Sequence, residues 1–341
     1  MTGSKSDIII DFKHHQAAHC ENGAASNLLK HRNIYLSEPM VFGIGSGLFF
    51  SYMPFIKLNY LPVISFRPLP GVIFKRITKR LGIKIKRERF NDPEKSMERL
   101  DETLQQGIPA GCLVGVFHLP YFPAPYRFHF NAHNIIVFGR QNGSYLISDP
   151  VMEQPVTLTR EELVRVRFAR GTYPPKGRTY YIEGIPVSYD LRQAIARGIR
   201  QTCKDMLDIP VPLFGVKGIR YLARRMRRWQ QRLGDKKAAQ YLGQVVRMLE
   251  EIGTGGAGFR FIYAAFLQEA AEITGNRELL KASVLMTENG DRWREFAVIS
   301  GRIIKDRAGS LESYGSAADI LMDIADREEK IFLFLRNLKL S

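Results

Sequence analysis

Three residues far apart in the chain have the side chains that nucleophilic thiol chemistry uses: Cys20, His133 and Asp149. Cys20 stands where the polar lead-in His14-His15-Gln16 gives way to the helix-forming run Ala24–Leu29. The first helical turn therefore falls at or just after the thiol. A cysteine there feels the positive end of the helix dipole and the unpaired backbone N–H groups, which lower a thiol pKa and favour the nucleophilic thiolate. His133 opens the apolar run Asn134–Gly139, and a short turn, Arg140–Gly143, leads to a second strand pattern, Ser144–Ser148, ending in Asp149-Pro150. Paired as a hairpin, the start of the first strand lies beside the end of the second. His133 and Asp149 then become neighbours, the base and the orienter of a Cys-His-Asp triad. In such a site His133 deprotonates Cys20 or holds it as an ion pair, Asp149 orients the imidazole, and the Cys20 N–H helps to hold an oxyanion.

The elements that must position these groups are legible from patterning. Residues 112–117, 133–138, 144–148 and 179–182 read as a core sheet, and Asp92–Gln106 as a helix with an Asp N-cap and a first-turn proline. Phe55–Phe66 reads as short strands and Ser37–Gly47 as a loop. Its glycines lack the Lys-Ser/Thr of a phosphate-binding loop, so a tight turn is the plain account. Beyond Ser188 helical periodicity takes over. Ile219, Leu222, Met226, Trp229 and Leu233 form one apolar face, flanked by Arg224, Arg225 and Arg228 among other arginines. Lys75–Arg89 is a second basic run, its first part read as a helix face. Planar guanidinium forks suit phosphates and carboxylates, and the glycine break at Gly255-Gly256 before Arg260 offers a helix N-terminus to an anion.

The chain has 341 residues, 45% hydrophobic and 25% charged, with a formal net charge of +16. That length accommodates two domains, and the charge points to acidic partners. No nucleic-acid recognition motif accompanies it. The longest apolar region, Met40–Ile56, is interrupted by glycines and proline and falls short of a membrane span, and no signal peptide is visible, so a cytoplasmic enzyme is expected. The three cysteines show neither metal nor disulfide spacing; Cys112 reads as a buried strand residue and Cys203 as a helical one. His129 and His133 are four apart, but prolines precede them and a strand follows, so no metal is expected. His118, Tyr121 and His129 are expected to line the cleft or its rim.

The order Cys, His on one strand, Asp on the next resembles the papain-like cysteine peptidase superfamily, in particular its bacteriocin-processing and related bacterial branches. His19-Cys20-Glu21, Leu36-Ser37-Glu38-Pro39 and Phe42–Leu48 are similar to the N-terminal domain of the BtrH-like acyltransferases of butirosin biosynthesis. Gly253-Thr254-Gly255-Gly256, Phe259-Arg260, Tyr263, Phe266-Leu267 and Trp293-Arg294 fit the same family. The resemblance covers most of the chain. It implies a mixed α/β (α+β) papain-like domain over residues 1–185 and an all-α domain over 186–341. It also implies acyl transfer from an acidic acyl carrier protein, the acyl group riding on phosphopantetheine, to the amine of a small metabolite. No bound cofactor is implied, and a homodimer is compatible with it.

On the same resemblance, a Gln six residues before the cysteine is the usual second oxyanion donor. That position holds His14 here, leaving His14, Gln16 or His19 to substitute. Glu21 opposes thiolate formation if it points inward, and so is expected to face away. A peptidase or thioesterase using the same triad, and a binding module without catalysis, are the competing readings.

Overall fold

The hairpin expected between His133 and Asp149 closes through Asn142-Gly143, whose φ values of 49° and 80° suit a two-residue type I′ turn. The computed structural model describes residues 7–58 and 60–340. Its elements run β1 (Ile8–Ile9), α1 (Cys20–His31), α2 (Glu38–Ile44), β2 (Ser51–Leu58), β3 (Leu61–Ser65), α3 (Val72–Arg80), β4 (Lys84–Glu88) and α4 (Pro93–Gln105). Then come β5 (Ala110–Val114), β6 (His133–Gln141), β7 (Ser144–Ser148), β8 (Val156–Leu158), α5 (Arg160–Arg167) and β9 (Thr179–Gly184). The remainder is helical: α6 (Leu191–Leu207), α7 (Gly215–Met226), α8 (Trp229–Leu233), α9 (Asp235–Glu250), α10 (Arg260–Thr274), α11 (Arg277–Ile304) and α12 (Tyr314–Asn337).

Two compact units divide the chain: residues up to Val41 with Thr78–Tyr189, and Phe42–Ile77 with Asp190 onward. The first is built on an antiparallel sheet of order β4-β9-β5-β6-β7-β8, with β1 pairing on β6. Because side chains alternate along a strand, the sheet serves two faces. Ile135 and Val137 join Met97, Leu100 and Leu104 of α4 and Leu163 and Val166 of α5 in one buried cluster. Each such aliphatic side chain stabilises the unit by about 1.5–3 kcal/mol. Asp101 ties α4 to the hairpin, pairing with Arg140 Nη1 at 3.0 Å and accepting from Tyr145 OH at 2.7 Å. α1 packs on β6 and β9.

Two expectations change. The Ser37–Gly47 loop contains helix α2, which begins at Glu38. The first part of the basic run is helical as expected, α3 carrying Lys75, Arg76, Lys79 and Arg80 away from its buried residues, and the rest forms edge strand β4. Phe42–Ile77, expected within residues 1–185, clusters with the helical unit. Its apolar groups explain why: Phe42 stacks on Phe259 at 5.1 Å, and Phe50 and Phe66 pack against buried Trp293. In that unit Arg260 and Glu328 form a fully buried ion pair at 2.8 Å.

Candidate active site

α1 starts at Cys20, capped by the His19 side chain, whose Nδ1 accepts from the Asn22 N–H at 3.4 Å. Glu38, leading α2, accepts the N–H groups of Ala18 at 2.9 Å and His19 at 2.8 Å. Burial pushes its carboxyl pKa up, and those two N–H bonds pull it back. The stretch just before the thiol is thus pinned from one side. From the other, Ala17 N–H donates to Pro150 O at 2.7 Å. Gly23 permits this approach, since a Cβ there would lie 2.5 Å from both Ala17 Cβ and Pro150 Cβ.

The same corner carries Asp149, which has no exposed surface. Its Oδ2 accepts from His133 Nε2 at 2.7 Å and from Tyr121 OH at 2.9 Å, and its Oδ1 from Val151 N–H at 3.2 Å. With Nε2 committed to Asp149, Nδ1 is the imidazole nitrogen left for Cys20, the ring's other hydrogen-bond partner. Burial alone would lower the His133 pKa, but the Asp149 carboxylate and the Cys20 sulfur outweigh it and push it up to about 10. The site therefore favours a protonated His133 imidazolium beside the Cys20 sulfur. Burial governs the other two thiols. Burial raises the pKa of Cys112 and pushes that of Cys203 up to about 12, which keeps both protonated.

Sequence patterning missed a second group beside the sulfur. Asn134 Nδ2 lies 3.9 Å from Cys20 Sγ, and Tyr180 OH donates to Asn134 Oδ1 at 2.9 Å. Gly111 leaves room for the Tyr180 ring, which a Cβ there would strike at 2.3 Å. The available signal was strand alternation: Asn134 and Tyr180 stand on the face opposite Ile135 and Tyr181. Glu21, expected to face away from the thiol, is only 1% exposed. Its charge acts on Tyr180 and on Arg87 of β4, whose guanidinium offsets it.

The remaining candidates scatter. Both ring nitrogens of His14 are engaged, Nδ1 with Ser148 Oγ at 2.8 Å and Nε2 with Met152 O at 3.0 Å, so it has no N–H left for an oxyanion. His19 serves as the N-cap acceptor through Nδ1, and Gln16 is exposed. Tyr121 belongs behind Asp149 rather than on the rim. His129 stacks on Phe117 at 4.1 Å and His118 meets the same ring edge-on at 5.1 Å, an exposed cluster separate from the bonds around Cys20. Among the described residues no group of three or more His, Cys, Asp or Glu could hold a metal ion.

In the helical unit, Arg260 cannot meet an external phosphate: it is fully buried against Glu328, which also accepts from Trp293 Nε1 at 2.9 Å and Asn289 Nδ2 at 3.0 Å. The Gly255-Gly256 turn is served by the protein itself, Gly256 N–H bonding Thr254 Oγ1 and Ala257 N–H bonding the Glu250 carboxylate, both at 3.1 Å. A bound phosphate would face that carboxylate. Arg224, Arg225 and Arg228 instead line a hollow of about 450 Å³ with Arg232 and Lys57 over buried Tyr52, Trp229 and Tyr241, and none of its lining residues is acidic. Arg227, also at its edge, pairs with Asp319.

Residues 19–150 match the family model described as Butirosin biosynthesis protein H, N-terminal. Residues 161–335, just over half of the chain, match the model described as Domain of unknown function (DUF4872). A solved C39-like peptidase from Bacillus anthracis is similar over 54% of this chain and 100% of its own, at 14% identity and a TM-score of 0.38. No curated protein matches the chain significantly. No helix among the described residues is long and apolar enough to cross a membrane.

Proposed function

Because the chain belongs to the DUF4872 family and is BtrH-like over residues 19–150, we propose that it is an acyltransferase that makes an amide from a carrier-bound thioester. The observation carrying this reading is the buried His133 imidazole held between Asp149 and Cys20. The Cys20 thiolate attacks the thioester carbonyl of a phosphopantetheine-borne acyl group. The pantetheine sulfur leaves with the proton from His133, forming acyl-Cys20. The amine of a small acceptor then attacks, gives a proton to His133, and releases the amide and the Cys20 thiolate. The Cys20 N–H, at the start of α1, supports the oxyanion in both steps.

An acyl carrier protein with an acidic face is the donor we assign, and the hollow around Arg224, Arg225 and Arg228 is its docking candidate because every charged residue of its lining is cationic. Intact-mass analysis after exposure to acyl-pantetheine and acyl-carrier thioesters tests the chemistry. An adduct lost in Cys20→Ala and cleared by amines but not by water supports a transferase. Clearance by water alone at the same rate identifies a thioesterase or peptidase, and no adduct and no amide with any donor leaves a binding module.

A further inference from the structure

We propose that Asn134 is a catalytic residue: its Nδ2–H donates to the Cys20 thiolate, and Tyr180 is the positioning residue that turns the carboxamide that way. Three contacts carry the assignment. Asn134 Nδ2 lies 3.9 Å from Cys20 Sγ and 3.3 Å from Ala132 O. A backbone carbonyl only accepts, so the amide end with hydrogens must face Ala132 and the sulfur. At the other end the Tyr180 hydroxyl donates to Oδ1 at 2.9 Å, which completes the orientation.

The side chain is 3% exposed, so water does not compete for the donor. Its location is also prepared from beneath, since Gly111 of β5 leaves the space through which the Tyr180 ring reaches Asn134. An amide bridging two acceptors, one a reactive sulfur, exceeds what packing alone asks of this position. A leucine would fill it without burying polar atoms. The role matters because both ring nitrogens of His14 are committed elsewhere. Asn134 offers the sulfur a side-chain N–H besides that of the imidazole.

The charges around the thiol separate this donor from general electrostatics. From β6 and the end of β7 come His133 and Asp149, from β4 comes Arg87, from α1 itself comes Glu21, and from α2 comes Glu38. Replacing Asn134 by leucine or Tyr180 by phenylalanine alters none of these charges. A change in thiolate formation in those variants therefore reports the hydrogen bond.

The test is the pH dependence of Cys20 alkylation by iodoacetamide, followed by peptide mass on the full chain. This role rests on Cys20 being the nucleophile. A wild-type profile with an ordinary thiol midpoint would refute that premise, and is distinct from the outcome for Asn134. Given a depressed midpoint in wild type, Asn134→Leu is expected to raise it by about one pH unit, the scale of a hydrogen bond to an ionised group. Tyr180→Phe is expected to raise it by a smaller amount, because the freed carboxamide samples other rotamers. Should Asn134→Leu fail to fold, Tyr180→Phe decides alone. A midpoint within about 0.2 units of wild type in the folded variants overturns the assignment.

Discussion

Adding one methyl group at Gly23 ought to disable the site without touching any reacting residue. At a solvent-exposed helix position glycine to alanine stabilises by about 0.8–1 kcal/mol. At Gly23 the sign reverses. The new Cβ would stand 2.5 Å from the Cβ atoms of Ala17 and Pro150, about 1 Å inside the 3.4 Å lower edge of ordinary contact. Overpacking of that size costs about 1–3 kcal/mol. The strain is relieved by moving the first turn of α1 away from the Asp149-Pro150 corner, which carries Cys20 with it. A displacement of about 1 Å at a reacting group costs on the order of a hundredfold in rate. Gly23→Ala is therefore expected to melt lower than wild type and to form acyl adduct about a hundredfold more slowly, read by intact mass against time. Gly243→Ala is the control: that Cβ meets only Ile304 Cδ1, at 4.0 Å, and should stabilise or leave the melt unchanged. A Gly23→Ala protein that melts as wild type and acylates at the wild-type rate would refute the claim that this close approach sets the geometry of the site.

Tyr121→Phe removes one of the donors to Asp149 Oδ2 and should slow acylation roughly fivefold, the value of one ordinary hydrogen bond; an unchanged rate would assign Tyr121 to packing alone. Glu328→Gln leaves Arg260 charged and buried, so denaturant melts should register a loss of about 3–5 kcal/mol, and a loss below about 1 would contradict the ion pair. Burial opposes the imidazolium of His133, yet Asp149 and Cys20 raise its pKa from 6.5 to about 10. Its stabilisation is then full below pH 6.5 and is lost as pH rises towards 10, so the gap in melting temperature between wild type and His133→Ala should narrow over that window. A gap that widens would reverse the sign. Charge reversal at Arg224, Arg225 and Arg228 together should weaken carrier binding roughly tenfold at low salt, and the difference should vanish near 1 M salt. Equal affinities in titration calorimetry at low salt would place the docking face elsewhere.

Much of the site could be read from local signals. A helix-forming run after Cys20, a His-led strand, an Asn-Gly turn and a terminal Asp are short-range patterns, and a hairpin brings its two ends together whatever the rest of the fold does. The helical texture beyond Ser188 was equally plain, because periodicity is a property of neighbours in sequence. Where local patterning failed, a contact across the chain had decided the outcome. Arg260 has the sequence of an anion ligand, yet Glu328, 68 residues away, claims it. His14 stands where an oxyanion donor was sought, but Ser148 and Met152 hold both its nitrogens. Glu21 is an acid in a first helical turn, and Arg87 on a distant strand offsets its charge where it is buried. Thus the amino-acid order by itself determined on which elements Cys20, His133 and Asp149 ride. Only the tertiary structure decided which polar groups remained available to them, since a side chain's hydrogen-bonding capacity is settled by whichever partner the folded chain brings within reach.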